Sequence, residues 1–359
     1  MNEQINQQQI KKYNISLSTN DKIGMISNLH TMLSAGIPIL EVVESLLEDA
    51  KGSQKKIFQA MKDDLGQGQH IAYTFSRFPR VFDQVTINII KAAEEAGTLD
   101  ITLKDIQATI KKDAEFNDKI KSAMIYPTFI IGLFFAVLLV ILVVVVPKIS
   151  TVFSQLNVPL PLPTKIMIAL SNFIMTNTIP LIIGSIFTVL IFIYLFKRYK
   201  REIVNLLIKA PVISQLALQI DLTRFSKNLS LLLSSGLPIT TALALVEDTV
   251  IRTDTRKAIR HCKEMVTAGK KLSEALKDNK KIIPNIIIKI VEAGERTGSL
   301  DKSMQDASEF LDYQVSNSLK TVTALVEPIM LVFVGILVGG MMVSIIAPMY
   351  GLISQVGGH

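Results

Sequence analysis

Leu33-Ser34-Ala35-Gly36-Ile37-Pro38 and Leu233-Ser234-Ser235-Gly236-Leu237-Pro238 are one six-residue phrase written twice, 200 positions apart. Outward from it, each later landmark returns 201 positions on. Gly97-Thr98-Leu99-Asp100 becomes Gly298-Ser299-Leu300-Asp301, Ala123-Met124-Ile125-Tyr126-Pro127 becomes Ala324-Leu325-Val326-Glu327-Pro328, and Pro147 becomes Pro348. In each copy a charged stretch gives way at a proline to 19 uncharged residues, Thr128 to Val146 or Ile329 to Ala347, closed by a second proline. As helix, such a run reaches about 28 Å, close to the hydrocarbon thickness of a bilayer. The chain therefore reads as one unit, duplicated, each copy ending in a membrane helix.

A third uncharged run, Ile166 to Phe196, supplies the crossing that returns the chain between copies. The expected organisation is a polar, disordered tail (1–20), a first cytoplasmic helical domain (21–121), a first span (122–147), a short external segment (148–165) and a second span (166–196). A second cytoplasmic helical domain (197–320), a third span (321–347) and an external tail (348–359) follow. The fold class is an all-α membrane protein, because apolar residues such as Ile26, Leu29 and Leu33 recur every three or four positions and strand-like alternation is hard to find. Lys119 and Lys121, then Lys197, Arg198, Lys200 and Arg201, then Lys320 flank the spans on one side; only Lys148 and Lys165 lie on the other. The positive-inside rule places the N-terminus and both polar domains in the cytoplasm and His359 outside.

With 49% hydrophobic residues and a mean hydropathy of +0.40, the chain is too apolar for an ordinary soluble protein. Its net charge of +7 is concentrated in the second polar domain, the first being close to neutral. That excess suits anionic headgroups or an acidic protein partner. No helix-turn-helix, zinc-finger or RNA-binding pattern accompanies it, so direct nucleic-acid binding is not expected. A single cysteine, Cys262, allows no internal disulfide and fits a reducing compartment. The start of the chain, polar and rich in Gln and Asn, has no signal-peptide pattern.

The repeated phrases read first as joints. Gly36 and Gly236 suit the left-handed residue that ends a helix, and Pro38 and Pro238 the start of the next. Gly97 and Gly298 can end a second helix, with Leu99, Asp100, Leu300 and Asp301 opening its successor and the aspartates in its positive first turn. Glu94 and Glu295, three residues before the turn glycine, sit at a helix C-terminus that disfavours an acid. That conflict points to a contact, with an intramolecular ion pair as the expected form. At the membrane entrance, Tyr126 suits the interface as an aromatic anchor, and Pro127 and Pro328 can start or bend a span. Glu327, the only carboxylate adjoining a span, needs a partner if it lies below the headgroups. Pro147 and Pro348 mark the span exits. Gly335 and Gly339, four apart, allow close helix packing in cis or across a dimer.

No signature of catalysis is present. The phosphate-binding pattern fails at Gly269-Lys270, because Lys271 follows and Glu264 holds the first glycine's place. HExxH, CxxC and GxSxG are missing, and His30, His70, His261 and His359 are scattered. No cofactor or metal is expected. Two other readings stay open: a transporter subunit, since repeats also occur there, and a membrane-bound adaptor.

Taken together, Leu33 to Pro38 with Leu233 to Pro238, Gly294-Glu295-Arg296-Thr297-Gly298-Ser299-Leu300, and Ser122 to Pro127 with Val146-Pro147-Lys148 resemble the inner-membrane platform proteins of type IV pilus and type II secretion machines. The resemblance covers about residues 21 to 352. The first copy departs from the pattern at Ala93, where the second has Gly294. The resemblance implies a non-enzymatic scaffold with two similar six-helix cytoplasmic domains in a bacterial inner membrane. Its implied partners are a hexameric assembly or retraction ATPase, pilin or pseudopilin subunits, inner-membrane alignment proteins, and a second copy of itself in a dimer.

Overall fold

The local rules written into each copy produce matching helices. A computed structural model of the chain describes residues 12–155, 162–177, 180, 187 and 211–356. In the first copy the helices are α1 (Thr19–Ser34), α2 (Ile39–Asp49), α3 (Gly52–Gly66), α4 (Ile71–Ser76), α5 (Gln84–Ala96) and α6 (Leu99–Val140). A π-helical turn (Ile141–Val145), α7 (Val146–Gln155) and α8 (Leu162–Thr176) follow. The second copy repeats the series as α9 (Pro211–Ser234), α10 (Ile239–Val246), α11 (Thr253–Thr267), α12 (Leu272–Lys277), α13 (Asn285–Thr297) and α14 (Leu300–Val356). Among the described residues every regular element is helical.

The boundaries follow from single residues. Ser18 accepts the Asp21 N–H at 3.1 Å to open α1, and Asp83 accepts that of Thr86 at 2.7 Å to open α5. Gly97 (φ 69°) and Gly298 (φ 73°) end α5 and α13 in the left-handed conformation that a side chain would strain. Pro38 and Pro238 stand just outside α2 and α10, one position before the first helical residue.

The chain divides into two compact units. The first comprises residues 1–119 and 214–315, so the polar parts of both copies lie in it, over one contiguous apolar cluster that runs from Met25 to Leu311. The second comprises residues 120–213 and 316–359. In the first unit, copy one packs an aromatic core, with Phe75 and Phe82 stacked at 3.7 Å beside Phe78. Copy two fills the corresponding positions with Leu276, Ile283 and Asn279. Within the stretch expected as a tail, residues 12–18 form no helix or strand, yet Tyr13 stacks on Phe78 at 5.1 Å, and Ile15 and Leu17 pack on the core. Residues 1–11 lie outside the described part.

Two helices are long and apolar enough to cross a bilayer, Leu99–Lys148 and Leu300–Gly340, and their most apolar windows are almost wholly uncovered by the described residues. An apolar surface left open at that length suits lipid rather than a protein core. The expected middle span falls mostly on residues outside the described part; α8 covers its first section. Pro127, Pro328 and Pro348 do not begin or end helices: α6 and α14 run through them. Of the two roles open to Pro127 and Pro328, starting or bending a span, no helix starts at either, and at Pro127 a hydrogen bond described below replaces the one the proline removes. Pro147 lies within the same unbroken helical run, directly after the π-helical turn.

Candidate functional site: the braced joints of the two copies

Each copy carries the same brace at its second joint. The short helix α4 has no side-chain cap of its own at His70, nor has α12 at Lys271. A free helix start leaves several N–H groups without partners. Glu94 reaches across from α5 to fill this gap, accepting the Ile71 and Ala72 N–H groups at 2.6 and 3.0 Å. Glu295 does the same from α13, accepting those of Leu272 at 2.5 Å and Ser273 at 3.3 Å. The expected ion pair is thus replaced by a carboxylate on paired backbone amides, where the positive end of a short helix favours negative charge. His70 adds a cation only when protonated, its ring nitrogen lying 3.8 Å from Glu94.

The glycines and their neighbours tie this brace to the long helices. Thr98 and Ser299 donate their backbone N–H groups to Ala93 and Gly294 at 2.9 and 3.0 Å, closing the turn around Gly97 and Gly298. Leu99 and Leu300 pack on the core beyond it. The carbonyls of Asp100 and Asp301 receive matching contacts from the first helix of each copy: His30 Nδ1 lies 2.9 Å from Asp100, and Ser230 donates its hydroxyl to Asp301 at 2.8 Å. Gly294 leaves no room for a side chain, since a Cβ there would stand 2.6 Å from that of Ser303. In copy one the same place holds a buried alanine, Ala93.

At the membrane motifs, Pro127 cannot donate to the carbonyl four residues back, that of Ala123. Thr323 of α14 donates its hydroxyl to this carbonyl at 3.3 Å, crossing between the two copies. The helix can therefore pass the proline without leaving an orphaned acceptor. Tyr126 and Glu327 are exposed. Gly335 and Gly339 have open space where a Cβ would stand, so no described part of the chain packs closely on that stripe. At the far end of α6, the buried Ser171 of α8 donates to the Leu142 carbonyl at 2.6 Å, pinning α8 to the π-helical turn.

Other residues at work here carry no motif. Asp221, fully buried, accepts the Ile251 and Arg252 N–H groups at 2.9 and 2.7 Å just ahead of α11. Burial pushes its carboxyl above the ordinary range, against the pull of those two hydrogen bonds. Asp64 holds Arg77 at 2.5 Å and Thr74 at 2.9 Å, and Arg77 also donates to the Tyr13 hydroxyl. Between the copies, Lys227 donates to Asp113 at 2.5 Å and to the Thr109 carbonyl at 3.2 Å, and Lys119 pairs with Asp312 at 2.8 Å. These bridges border a cavity of about 610 Å³ between α6, α9 and α14 in which both signs of charge are mixed. Repetition could have flagged none of them: Asp221 has an exposed counterpart in Asp21, and the counterpart of Lys227 in the first copy is Ser27.

Braces, caps and cross-copy bridges position helices; among the described residues no three His, Cys, Asp or Glu side chains gather as a metal site. Cys262 is buried, which pushes its thiol up to about 12 and away from reactivity.

The family model for the type II secretion system, protein F, matches the chain twice, over residues 25–147 and 225–348, once in each copy. Among curated relatives, the type IV pilus assembly protein PilC of Thermus thermophilus is 28% identical over 330 residues, 90% of this chain and 80% of that protein. PilC of Pseudomonas aeruginosa is 27% identical over 91% of this chain and 88% of its own length. The type II secretion system protein F of Aeromonas hydrophila is 25% identical over 94% of this chain and 88% of its own length.

Proposed function

The chain belongs to the type II secretion system protein F family, and from that premise we propose that it is a non-enzymatic platform in a bacterial inner membrane. In this reading it couples a cytoplasmic motor ATPase to the insertion or extraction of pilin or pseudopilin subunits. The observation that carries the proposal is the duplicated joint: each copy places a half-buried acid brace beside the turn from which its long, lipid-suited helix begins. Such a unit transmits position; nothing in it activates a nucleophile or holds a substrate. The transporter reading gains no support, because the two apolar windows contain no charged side chain to line a path.

Both polar domains face the cytoplasm in this proposal, with His359 on the other side, three spans in all, and a homo-oligomer in the membrane beside alignment proteins. Single cysteines placed at exposed positions of each copy should label from the same side of the membrane. Labelling from opposite sides would remove the topology.

The motor contact is assigned to the second copy, whose Lys270, Lys271, Lys280 and Lys281 are all exposed around α12. Co-purification in mild detergent should recover a hexameric ATPase and prepilin-like proteins. Reversing the four charges should weaken ATPase recovery, as steering by opposite charge requires. Undiminished recovery with normal filament or secretion activity would reject that contact.

A further inference from the structure

We infer that the membrane entrance of α14 holds the ammonium headgroup of a phospholipid, at a site formed by the Glu327 carboxylate and the uncapped carbonyl of Ala324. The two copies treat this position in opposite ways. In the first, Pro127 is buried, and the Ala123 carbonyl that its missing N–H abandons receives the Thr323 hydroxyl at 3.3 Å. In the second, Pro328 takes away the N–H that would serve Ala324, and both residues are exposed. The counterpart of Thr323 is Ser122, itself exposed, and no side chain among the described residues donates to Ala324.

The uncapped acceptor coincides with a change of side chain. Where copy one has Tyr126, copy two has Glu327. A helical carbonyl points along the axis toward the residue four positions on, so that of Ala324 is aimed at Pro328, next to Glu327. Among the described residues the Glu327 carboxylate forms no ion pair, and the last cation before it on α14, Lys320, is seven positions back, about 10 Å along the axis. Two acceptors thus stand together without a donor at the edge of an apolar span, where an unmet acceptor and an unpaired charge are both costly. A primary ammonium carries one positive charge and three N–H donors, and so serves the pair at once. Lipid is the occupant because of what surrounds the site: Leu325, Ile329 and Leu331 are exposed, and none of the most apolar window of this helix is covered by the described residues. Such a surface meets the bilayer, whose headgroups lie where the charged part of α14 gives way to its apolar run. The inference requires α14 to cross a bilayer and is otherwise independent of the platform reading.

The test uses the full chain in mild detergent, supplied with equal parts of phosphatidylethanolamine, phosphatidylcholine and phosphatidylglycerol, with bound lipid counted by native mass spectrometry. The three probes separate the chemistry: an ammonium with N–H donors, a quaternary ammonium with none, and no ammonium at all. Phosphatidylethanolamine should be retained over phosphatidylcholine about threefold or more. Glu327→Gln and Glu327→Tyr, the second borrowing the side chain of copy one, should abolish that preference, and Pro328→Ala, which returns an N–H to Ala324, should reduce it. Equal retention of the two ammonium lipids by the natural chain would overturn the proposal, whichever variants fold. A preference that survives in Glu327→Gln would overturn it too, by placing the lipid elsewhere. If the natural chain shows no lipid preference and Glu327→Gln instead loses a co-purified protein, the site belongs to a partner helix. Filament and secretion activity are not read, so failure here leaves the platform reading untouched.

Discussion

Glu94 and Glu295 each satisfy two amide hydrogens that have no other acceptor, so removing either exposes the start of a short helix. Glu94→Ala and Glu295→Ala should each cost about 1–3 kcal/mol in denaturant unfolding of the detergent-solubilised chain, and the Gln variants less, because one acceptor oxygen remains. Asp221 behaves differently with pH. Burial holds its folded carboxyl above the unfolded value of 3.8, so its contribution to stability is fullest below that value and is lost as pH rises through the folded one. The stability of the natural chain relative to Asp221→Asn should therefore fall as pH rises from below 3.8, read by unfolding at each pH; a difference that grows with pH would refute the assignment. Repetition singled out the two glutamates because an acid at a helix C-terminus is out of place. Their partners were illegible: a backbone amide is the same chemical group at every residue, and only the fold says which ones lack an acceptor. Asp221 lay beyond reach for the opposite reason, since its counterpart Asp21 does other work on the surface.

Helices follow closely from the phrases that bound them. The turn glycines and the prolines beside them fall at the ends of α1, α5, α9 and α13, as their backbone preferences dictate. Sequence reading left the membrane prolines open between starting and bending a span, because it counts the hydrogen bond a proline loses and not the donor a neighbouring helix can supply. If Thr323 replaces that donor, Thr323→Val should cost about 1 kcal/mol in the natural chain and close to nothing when Pro127→Ala has restored the helical N–H. Equal effects in both backgrounds would show that the hydroxyl serves something else. The Gly294 joint offers a second test of close approach. Gly294→Ala forces Ser303 or Leu300 to move, since the nearest atoms would stand at 2.4 and 2.6 Å from the new carbon. The variant should lose about 1–3 kcal/mol, with part recovered by Ser303→Gly, on thermal unfolding.

Across the molecule, duplication and the apolar runs were plain in the chain because both are long-range regularities of residue type. That the polar parts share one core was not. Periodicity reports which face of a helix is buried, never what buries it, and Val85 reads alike under its own bundle or another. Lys227 and Asp113, 114 positions apart, are likewise invisible as a pair until the copies are in place. Lys227 is the more covered partner, its side chain 20% exposed against 51%, so Lys227→Met should loosen the copies by no more than about 1 kcal/mol and show as faster hydrogen exchange in α9 before any fall in overall stability. The common core has a further consequence for how such a chain can be divided. Neither half owns a complete interior, so a gene cut between the copies should produce two fragments that behave as obligate subunits. Expressed singly each would present a raw hydrophobic flank to chaperones and proteases, and only coexpression would rescue the pair by complementation.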